Sequence, residues 1–196
     1  PISLQRDNKK YRRYYFRSMK TKILNSRTAE IHSAAAALRA GGLIAFPTET
    51  VYGLGANALD SQAVAKIYEV KKRPSFNPLI VHFNTLDDVK KQVYWNDWSE
   101  LLAKNFWPGP MTLILNKSKK SNVSRLVSAG LDTIAVRIPN NDIAQKFIQI
   151  SGCPIAAPSA NISGKISPTN AIHVSTALNG KIPFIINGGK CAIGLE

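Results

Sequence analysis

The sequence predicts an α/β protein in which a mixed, twisted β-sheet is flanked by helices. Short apolar runs of the kind that form buried strands alternate along the chain with segments of helical periodicity. Glycine or proline follows several of the predicted helices, as expected for residues that end helices. The chain of 196 residues contains no internal repeat and no low-complexity segment. These observations favour one layered α/β domain.

The first elements are a helix and a strand. Ile31, Ala34, Ala35 and Leu38 have the i, i+3, i+4, i+7 spacing of an amphipathic helix, which Gly41 and Gly42 should end. The apolar run 43–46 then predicts a buried strand that stops at a proline.

A second helix is predicted to start at Ser61 as its N-cap, with Val64, Ile67 and Tyr68 on one face. This helix should end in the run 71–73, because Pro74 cannot continue it.

The remaining elements follow the same alternation. A short helix should begin after Thr85, because a threonine caps well and two aspartates follow it. Further helices are predicted over 142–150 and from about 169 to 178, each closed by a glycine. With the run 43–46, six strands are predicted, the others over 79–83, 111–115, 133–138, 155–157 and 184–186.

The charge of the chain is strongly positive. Twenty-six Lys and Arg residues against twelve Asp and Glu residues give a formal net charge of +14. Residues 1–18 combine six basic residues with a tyrosine-rich cluster, and we interpret them as a flexible arm preceding one domain over 19–196. That domain remains basic without the arm, and the charge alone fits contact with nucleotides or RNA as well as it fits a role in solubility.

Several classes of protein are disfavoured. Cys153 and Cys191 form no CxxC pair, so no zinc site is predicted. The phosphate loop GxxxxGK[ST], the dinucleotide motif GxGxxG and the metalloprotease motif HExxH are absent. No apolar run approaches the ~20 residues that span a bilayer, and there is no secretory signal, so we predict a cytoplasmic protein without a membrane partner.

Four polar segments adjoin the predicted strands, where α/β proteins place their sites. Each also has a purely structural interpretation. The run 47–55 can be a capped turn or a ligand loop, and the cations at 71–73 can stabilise a helix end or bind an anion. His82 and Arg137 interrupt apolar strands and can be satisfied core residues or site residues. Ser159 and Asn161 can form a turn or share one side of an extended segment.

Together these segments resemble one family. From about residue 40 onward the chain is similar to the YrdC/Sua5 family of threonylcarbamoyl-AMP synthases. The matching blocks are FPTETVYGLG at 46–55, KKRP at 71–74, NPLIVH at 77–82, WPGPMT at 107–112, TIAVRIP at 133–139 and APSAN at 157–161. The KxR and SxN signatures of the family correspond to Lys71 with Arg73 and to Ser159 with Asn161.

The resemblance implies a single YrdC-like domain with a basic concave surface. It also implies a nucleotidyltransferase that condenses L-threonine, bicarbonate and ATP into threonylcarbamoyl-AMP for tRNA modification, with ATP as a substrate and Mg²⁺ on its pyrophosphate. Partners would be tRNA or double-stranded RNA and a downstream threonylcarbamoyl-transferase complex. The family usually continues beyond residue 196 with a Ser-Thr pair and a strand, so the domain is expected to be truncated at its C-terminus.

The resemblance assigns two groups of site residues. The threonine pocket would comprise Thr48, Arg73, His82 and Thr133, with Arg73 on the carboxylate. The triphosphate would face Lys71, Arg137, Ser159 and Asn161. The alternative hypothesis is a non-catalytic double-stranded RNA-binding or ribosome-maturation module, because the net charge favours it equally well.

Overall fold

A computed structural model describes residues 20–195. Over this range the chain forms eight strands and six helices. The strands are β1 (Lys22–Leu24), β2 (Ile44–Phe46), β3 (Gly53–Asn57), β4 (Ile80–His82), β5 (Leu113–Asn116), β6 (Thr133–Arg137), β7 (Ile155–Ala156) and β8 (Phe184–Ile186). The helices are α1 (Thr28–Arg39), α2 (Ser61–Lys71), α3 (Leu86–Gln92), α4 (Asp97–Phe106), α5 (Asp142–Ser151) and α6 (Ala171–Leu178).

All eight strands belong to one sheet, in the order β1-β8-β2-β3-β7-β4-β6-β5. The pairs β1/β8, β8/β2 and β4/β6 are parallel, whereas β2/β3, β3/β7, β7/β4 and β6/β5 are antiparallel. The prediction of a mixed α/β sheet is therefore confirmed, and all six predicted strands are present. The basic concave surface stays a prediction.

Helices cover both faces of the sheet because successive strand residues point to opposite sides. In β2, Phe46 packs with α1 and α5 through residues such as Leu38 and Phe147. Ala45 points to the other side, where the core includes residues of α2 and α6 such as Ile67 and Val174. Each fully buried Val, Leu, Ile or Phe side chain contributes about 1.5–3 kcal/mol to the free energy of unfolding.

Two strands were not predicted, and β3 shows why. It contains Gly53 and Gly55, which lower strand propensity. A Cβ at Gly55 would lie 2.8 Å from Ile155 Cγ2 and 3.0 Å from the ring of Phe46. Glycine is required there because the neighbouring side chains approach the backbone closely, which is a common reason for glycine within a strand. The other omission, β1, has only three residues at the sheet edge.

The predicted N-cap of α2 needs a correction. Ser61 is not the N-cap; Asp60 caps the helix, with Oδ1 accepting hydrogen bonds from Gln62 N at 2.9 Å and Ala63 N at 3.2 Å. The hydroxyl of Ser61 instead lies 2.8 Å from Ser124 Oγ. The prediction that Thr85 caps α3 is confirmed, with its hydroxyl accepting from Asp88 N.

The predicted N-terminal arm, residues 1–18, lies outside the described residues. None of the helices within 20–195 is both long and apolar enough to cross a membrane.

Candidate active site

The candidate site is a cavity of about 460 Å³ between the 47–50 loop, the start of β4 and the end of β6. Polar groups and a hydrophobic wall share its lining. The polar side chains are those of Thr50, Arg73, Thr112, Arg137 and Ser159, and the apolar ones include Leu79, Ile80, Pro110, Pro158, Ile193 and Leu195. Three of the eight predicted site residues, Arg73, Arg137 and Ser159, therefore lie on one cavity.

Arg137 is held at the carboxyl end of β6 by several partners. Its Nε donates to Gly109 O at 3.3 Å, and its Nη2 donates to Thr50 Oγ1 at 3.2 Å. Nη2 also lies 2.8 Å from Glu49 Oε1, with both side chains less than a tenth exposed. These contacts fix the plane of the guanidinium while one edge lines the cavity, where it can bind an anion bidentately.

Glu49 is unusual because its carboxylate is buried without hydrogen-bond donors. Neither Oε1 nor Oε2 accepts a well-aligned hydrogen bond from the described residues, so the ion pair with Arg137 is its main compensation. Burying a carboxylate in this way costs several kcal/mol of desolvation. Glu49 thus depends on Arg137, and Arg137 is oriented by Glu49.

Thr48 shapes the loop from behind the cavity wall. Its buried hydroxyl accepts from the amides of Thr50 and Val51 at 3.2 Å and donates to Val51 O at 2.7 Å. It also lies 3.0 Å from Thr50 Oγ1, the group that contacts Arg137. The structure therefore puts Thr50 on the cavity and Thr48 one layer behind it.

Lys71 and Asn161 form a buried cluster behind Ser159. Lys71 is 1% exposed. Its Nζ donates to the carbonyl of Ser159, to Asn161 O at 2.5 Å and to Asn161 Oδ1 at 3.3 Å. The amide of Asn161 donates in turn to Ile162 O at 3.1 Å and to the carbonyl of Lys165. This ammonium thus holds the SxN loop in place and is not part of the cavity lining.

Lys72 makes the divergence of Lys71 and Arg73 possible. It adopts the left-handed conformation, with φ 52° and ψ 38°, and ends α2. The chain leaves the helix there, as Arg73 N donates to Tyr68 O at 3.0 Å. Arg73 then turns to the cavity, where Nη2 donates to Pro78 O at 3.1 Å. Its remaining guanidinium donors are available for a carboxylate or phosphate.

His82 lies beneath the site in the sheet. It is 3% exposed, it pairs in register with Arg137, and its ring meets Phe46 edge-on at 6.0 Å. Burial, followed by the positive charge of Arg137, lowers the pKa of His82 to about 3. The imidazole is therefore neutral near pH 7, and its Nδ1 has no hydrogen-bond partner among the described residues.

Thr133 shares a face of β6 with Arg137, because the two are four residues apart. At roughly 3.3 Å per residue, that spacing is about 13 Å. Thr133 pairs with Asn116 of β5 and is not part of the cavity lining. The structure therefore separates it from the other predicted site residues.

The last described segment closes one side of the cavity. Ile193 N donates to Glu49 O at 2.9 Å and Gly194 N to Thr50 O at 3.0 Å, so this segment runs beside the site loop. Tyr52 fixes its approach, since its hydroxyl donates to Gly189 O at 2.8 Å and accepts from Gly188 N at 3.0 Å.

The donor set does not fit a metal held by the protein alone. Within residues 20–195 no group of three or more His, Cys, Asp or Glu side chains could hold a metal ion. Mg²⁺ is often bound by one or two carboxylates together with substrate phosphates and water. The carboxylate near this cavity is Glu49, which is already paired with Arg137. A magnesium ion would therefore be carried mainly by a polyphosphate ligand.

Two contributors to the site, Glu49 and Thr50, were not singled out from the sequence. Both lie in the run 47–55, which combines threonines and a carboxylate after a predicted strand. That run indicated a ligand loop, but it does not say which hydroxyl faces the cavity. The contact of Arg137 with Thr50 joins residues 87 positions apart, so local sequence cannot reveal it.

Comparisons with known proteins agree with this architecture. Residues 36–196 match the family model Sua5_yciO_yrdC, which is described as "Telomere recombination". A threonylcarbamoyl-AMP synthase of Pyrococcus abyssi is 55% identical over 170 residues, which are 85% of this chain and 49% of that protein. One from Bacillus subtilis is 50% identical over 179 residues, covering 90% of this chain and 51% of the relative.

A solved structure resembles the fold closely. The crystal structure of P. abyssi Sua5 complexed with L-threonine superposes with a TM-score of 0.86 at 52% identity. The match covers 89% of this chain and 52% of that one. The present chain thus spans about half the length of these relatives.

Proposed function

The chain belongs to the Sua5/YciO/YrdC family, and on that premise we propose that it forms threonylcarbamoyl-AMP from L-threonine, bicarbonate and ATP. Relatives at 50–55% identity carry that name, and one relative binds L-threonine in its crystal structure. The observation that carries the proposal for this chain is the cavity on which two fixed guanidinium groups, Arg73 and Arg137, lie together.

In this proposal Arg73 binds the carboxylate of threonine. Its guanidinium is steered by the carbonyls of Asn77 and Pro78, which leaves other donors for a planar, bidentate contact. Thr48 and His82 support the pocket indirectly, by positioning Thr50 and by packing beneath Arg137. Thr133 lies outside the cavity lining and is proposed to act on the pocket only through β6, the strand that it shares with Arg137. The hydrophobic wall can pack against the methyl group of threonine. A hydrogen-bond partner for the threonine hydroxyl would make the pocket selective against amino acids that lack this hydroxyl.

ATP occupies the neighbouring side of the site in the same proposal. Arg137 and Ser159 contact the phosphates, while Lys71 and Asn161 hold the loop that carries Ser159. Because both guanidinium groups are fixed before the ligand arrives, little reorganisation is needed as charge develops. Magnesium on the triphosphate would supply further charge neutralisation.

The reaction needs positioning more than a covalent nucleophile. The amine of threonine and bicarbonate give a carbamate and water; a carbamate oxygen then attacks the α-phosphorus of ATP, and the bond to the β-phosphate breaks to release pyrophosphate. Alignment of carbamate and α-phosphate is worth several kcal/mol of barrier lowering. Delivery of the product to tRNA through a transferase complex is part of the proposal.

The experiment that tests this function is pyrophosphate release from ATP. We expect release that requires both L-threonine and bicarbonate, and that Arg137→Met reduces at least about 100-fold, as for loss of a charge-stabilising group. Lys181→Met, an exposed lysine on another surface, is the matched control and should leave the rate unchanged. ATP hydrolysis independent of threonine would contradict the proposal. Binding of double-stranded RNA without pyrophosphate release would favour the non-catalytic module instead.

A further inference from the structure

The segment that follows β8, residues 187–195 and here termed the strap, forms one wall of the active-site cavity. Its side chains Ile193 and Leu195 line that cavity. The amide of Ile193 and the next amide along the chain donate to Glu49 O at 2.9 Å and to Thr50 O at 3.0 Å, which joins the strap to the 47–50 loop. The position of the strap therefore sets the width of the cavity on its apolar side.

Hydrogen bonds hold the strap more than apolar packing does. Ile193 and Leu195 are 55% and 74% exposed, and Cys191 is the only buried side chain of the strap. At the start of the strap the backbone passes very close to its neighbours, since a Cβ at Gly188 would lie 2.6 Å from Pro47 Cγ. Beyond that point the strap depends mainly on its backbone groups finding partners, because little apolar surface is removed from water there.

The side chain of Tyr52 supplies two of those partners. Its hydroxyl donates to Gly189 O at 2.8 Å and accepts from Gly188 N at 3.0 Å. Burial raises the pKa of this phenol, so it keeps its proton near pH 7 and stays a donor. One buried hydroxyl thus ties two consecutive residues of the strap to the interior of the domain.

The main chain of Tyr52 holds a second wall of the same cavity. Its carbonyl accepts from Ala160 N at 2.7 Å, directly after Ser159, and its amide donates to Pro168 O at 2.8 Å. These two bonds do not involve the side chain. Removing the hydroxyl therefore releases the strap while the SxN loop keeps its contacts with Tyr52.

We propose that Tyr52 is a positioning residue, whose hydroxyl holds the strap against the threonine pocket and so sets selectivity for threonine over serine. This inference rests on the proposed function for the identity of the substrate. Without the hydroxyl, the strap is in place in only a fraction of the molecules, and the apparent affinity for threonine falls by that fraction. Serine is affected less, because it lacks the methyl group that packs against the apolar wall.

The test compares two variants that each lose one buried hydroxyl. Tyr52→Phe removes the bridge to the strap. Thr21→Val is the matched control, because the Thr21 hydroxyl also joins two backbone groups: it donates to Ile182 O at 2.6 Å and accepts from Gly180 N at 2.9 Å. That bridge lies before β8 and outside the cavity lining. The two variants should therefore lose similar amounts of unfolding free energy.

Pyrophosphate release gives the kinetic comparison. In Tyr52→Phe we expect KM for L-threonine to rise about three- to tenfold, the effect of one net hydrogen bond. Saturating threonine restores the strap, so kcat should stay within about twofold. KM for ATP should be unchanged, and the ratio of kcat/KM for threonine to that for serine should fall about threefold. Thr21→Val should change none of these values. Equal changes in both variants, or an unchanged threonine KM in Tyr52→Phe, would overturn the proposal.

Hydrogen exchange tests the positioning role without the reaction. In Tyr52→Phe the amides of Ile193 and Gly194 should exchange at least about tenfold faster than in the wild type, whereas the amide of Ala160 should not. Unchanged exchange at Ile193 and Gly194 would refute the role of the hydroxyl even in an active enzyme. A wild-type chain without threonine-dependent pyrophosphate release would instead contradict the proposed function, and faster exchange in the variant would still support the hold on the strap.

Discussion

The buried pair of Arg137 and Glu49 makes a quantitative prediction about stability. Replacing Arg137 with Met removes the bond to Thr50 Oγ1, the bond to Gly109 O and the charge that compensates Glu49. Because Glu49 accepts no hydrogen bond from the described residues, it would remain as an uncompensated buried charge. Removal of one partner of such a pair costs about 3–5 kcal/mol of unfolding free energy.

Replacing Glu49 instead of Arg137 should cost less unfolding free energy. In Glu49→Met, Arg137 keeps its two hydrogen-bond acceptors and its access to the cavity, so we expect a loss of about 1–3 kcal/mol. The double variant Glu49→Met/Arg137→Met replaces the whole pair by neutral side chains of similar length, which is often nearly neutral. We therefore expect it to be more stable than Arg137→Met alone, with a coupling energy of at least about 2 kcal/mol.

Urea unfolding followed by tryptophan fluorescence measures these differences, since the chain has three tryptophans. Additivity of the two single substitutions within about 0.5 kcal/mol would refute the reasoning.

Three other residues give further predictions. With its pKa lowered to about 3, His82 stays neutral in the folded state, whereas the histidine of the unfolded chain gains a proton below about pH 6.5. The wild-type protein should therefore lose about 1 kcal/mol of unfolding free energy per pH unit as the pH falls from about 6.5, and His82→Leu should remove this dependence. Equal pH profiles of the two proteins in urea unfolding would contradict this. Gly55→Ala should cost about 1–3 kcal/mol, more than Gly53→Ala, because the new Cβ would meet Ile155 at 2.8 Å rather than a neighbour at 3.3 Å; thermal unfolding of both variants decides. Lys71→Met should cost about 2–4 kcal/mol and raise hydrogen exchange over 159–165, because the SxN loop loses its ammonium donor; unchanged exchange there would show that the ammonium does not hold the loop.

Much of the sheet could be predicted from the sequence because buried strands are short apolar runs. The runs 43–46 and 133–138 are examples, and both form strands in the structure. The strand β3 could not be predicted in this way, since the reason for Gly55 is a close approach of Phe46 and Ile155. Local patterns do not contain such tertiary contacts.

Helix α4 was missed for a related reason. Trp98, Leu101 and Phe106 are at least half exposed, so apolar residues do not mark its buried side. Its cap offered a local signal, because Asn96 Oδ1 accepts from Ser99 N at 2.9 Å. An asparagine followed by an aspartate and a glutamate is typical of a helix start.

The candidate site, too, could be predicted from the sequence only in part. The sequence indicated that the cations Lys71 and Arg73 stabilise a helix end or bind an anion, and in the structure Lys72 ends α2 in the left-handed conformation. It could not show that the two side chains then serve different purposes, with Lys71 inside the SxN loop and Arg73 on the cavity. That difference depends on a loop about 90 residues further along the chain.

The most direct test of the account is calorimetric titration of the chain with L-threonine. We expect saturable binding that L-serine matches poorly, that Arg73→Ala abolishes and that Arg73→Lys only partly restores, because a lysine lacks the planar pair of donors. Lys181→Ala, which removes an exposed cation away from the cavity, is the control and should bind as the wild type does. Threonine binding that survives Arg73→Ala unchanged would contradict the central claim that this guanidinium holds the substrate in the cavity.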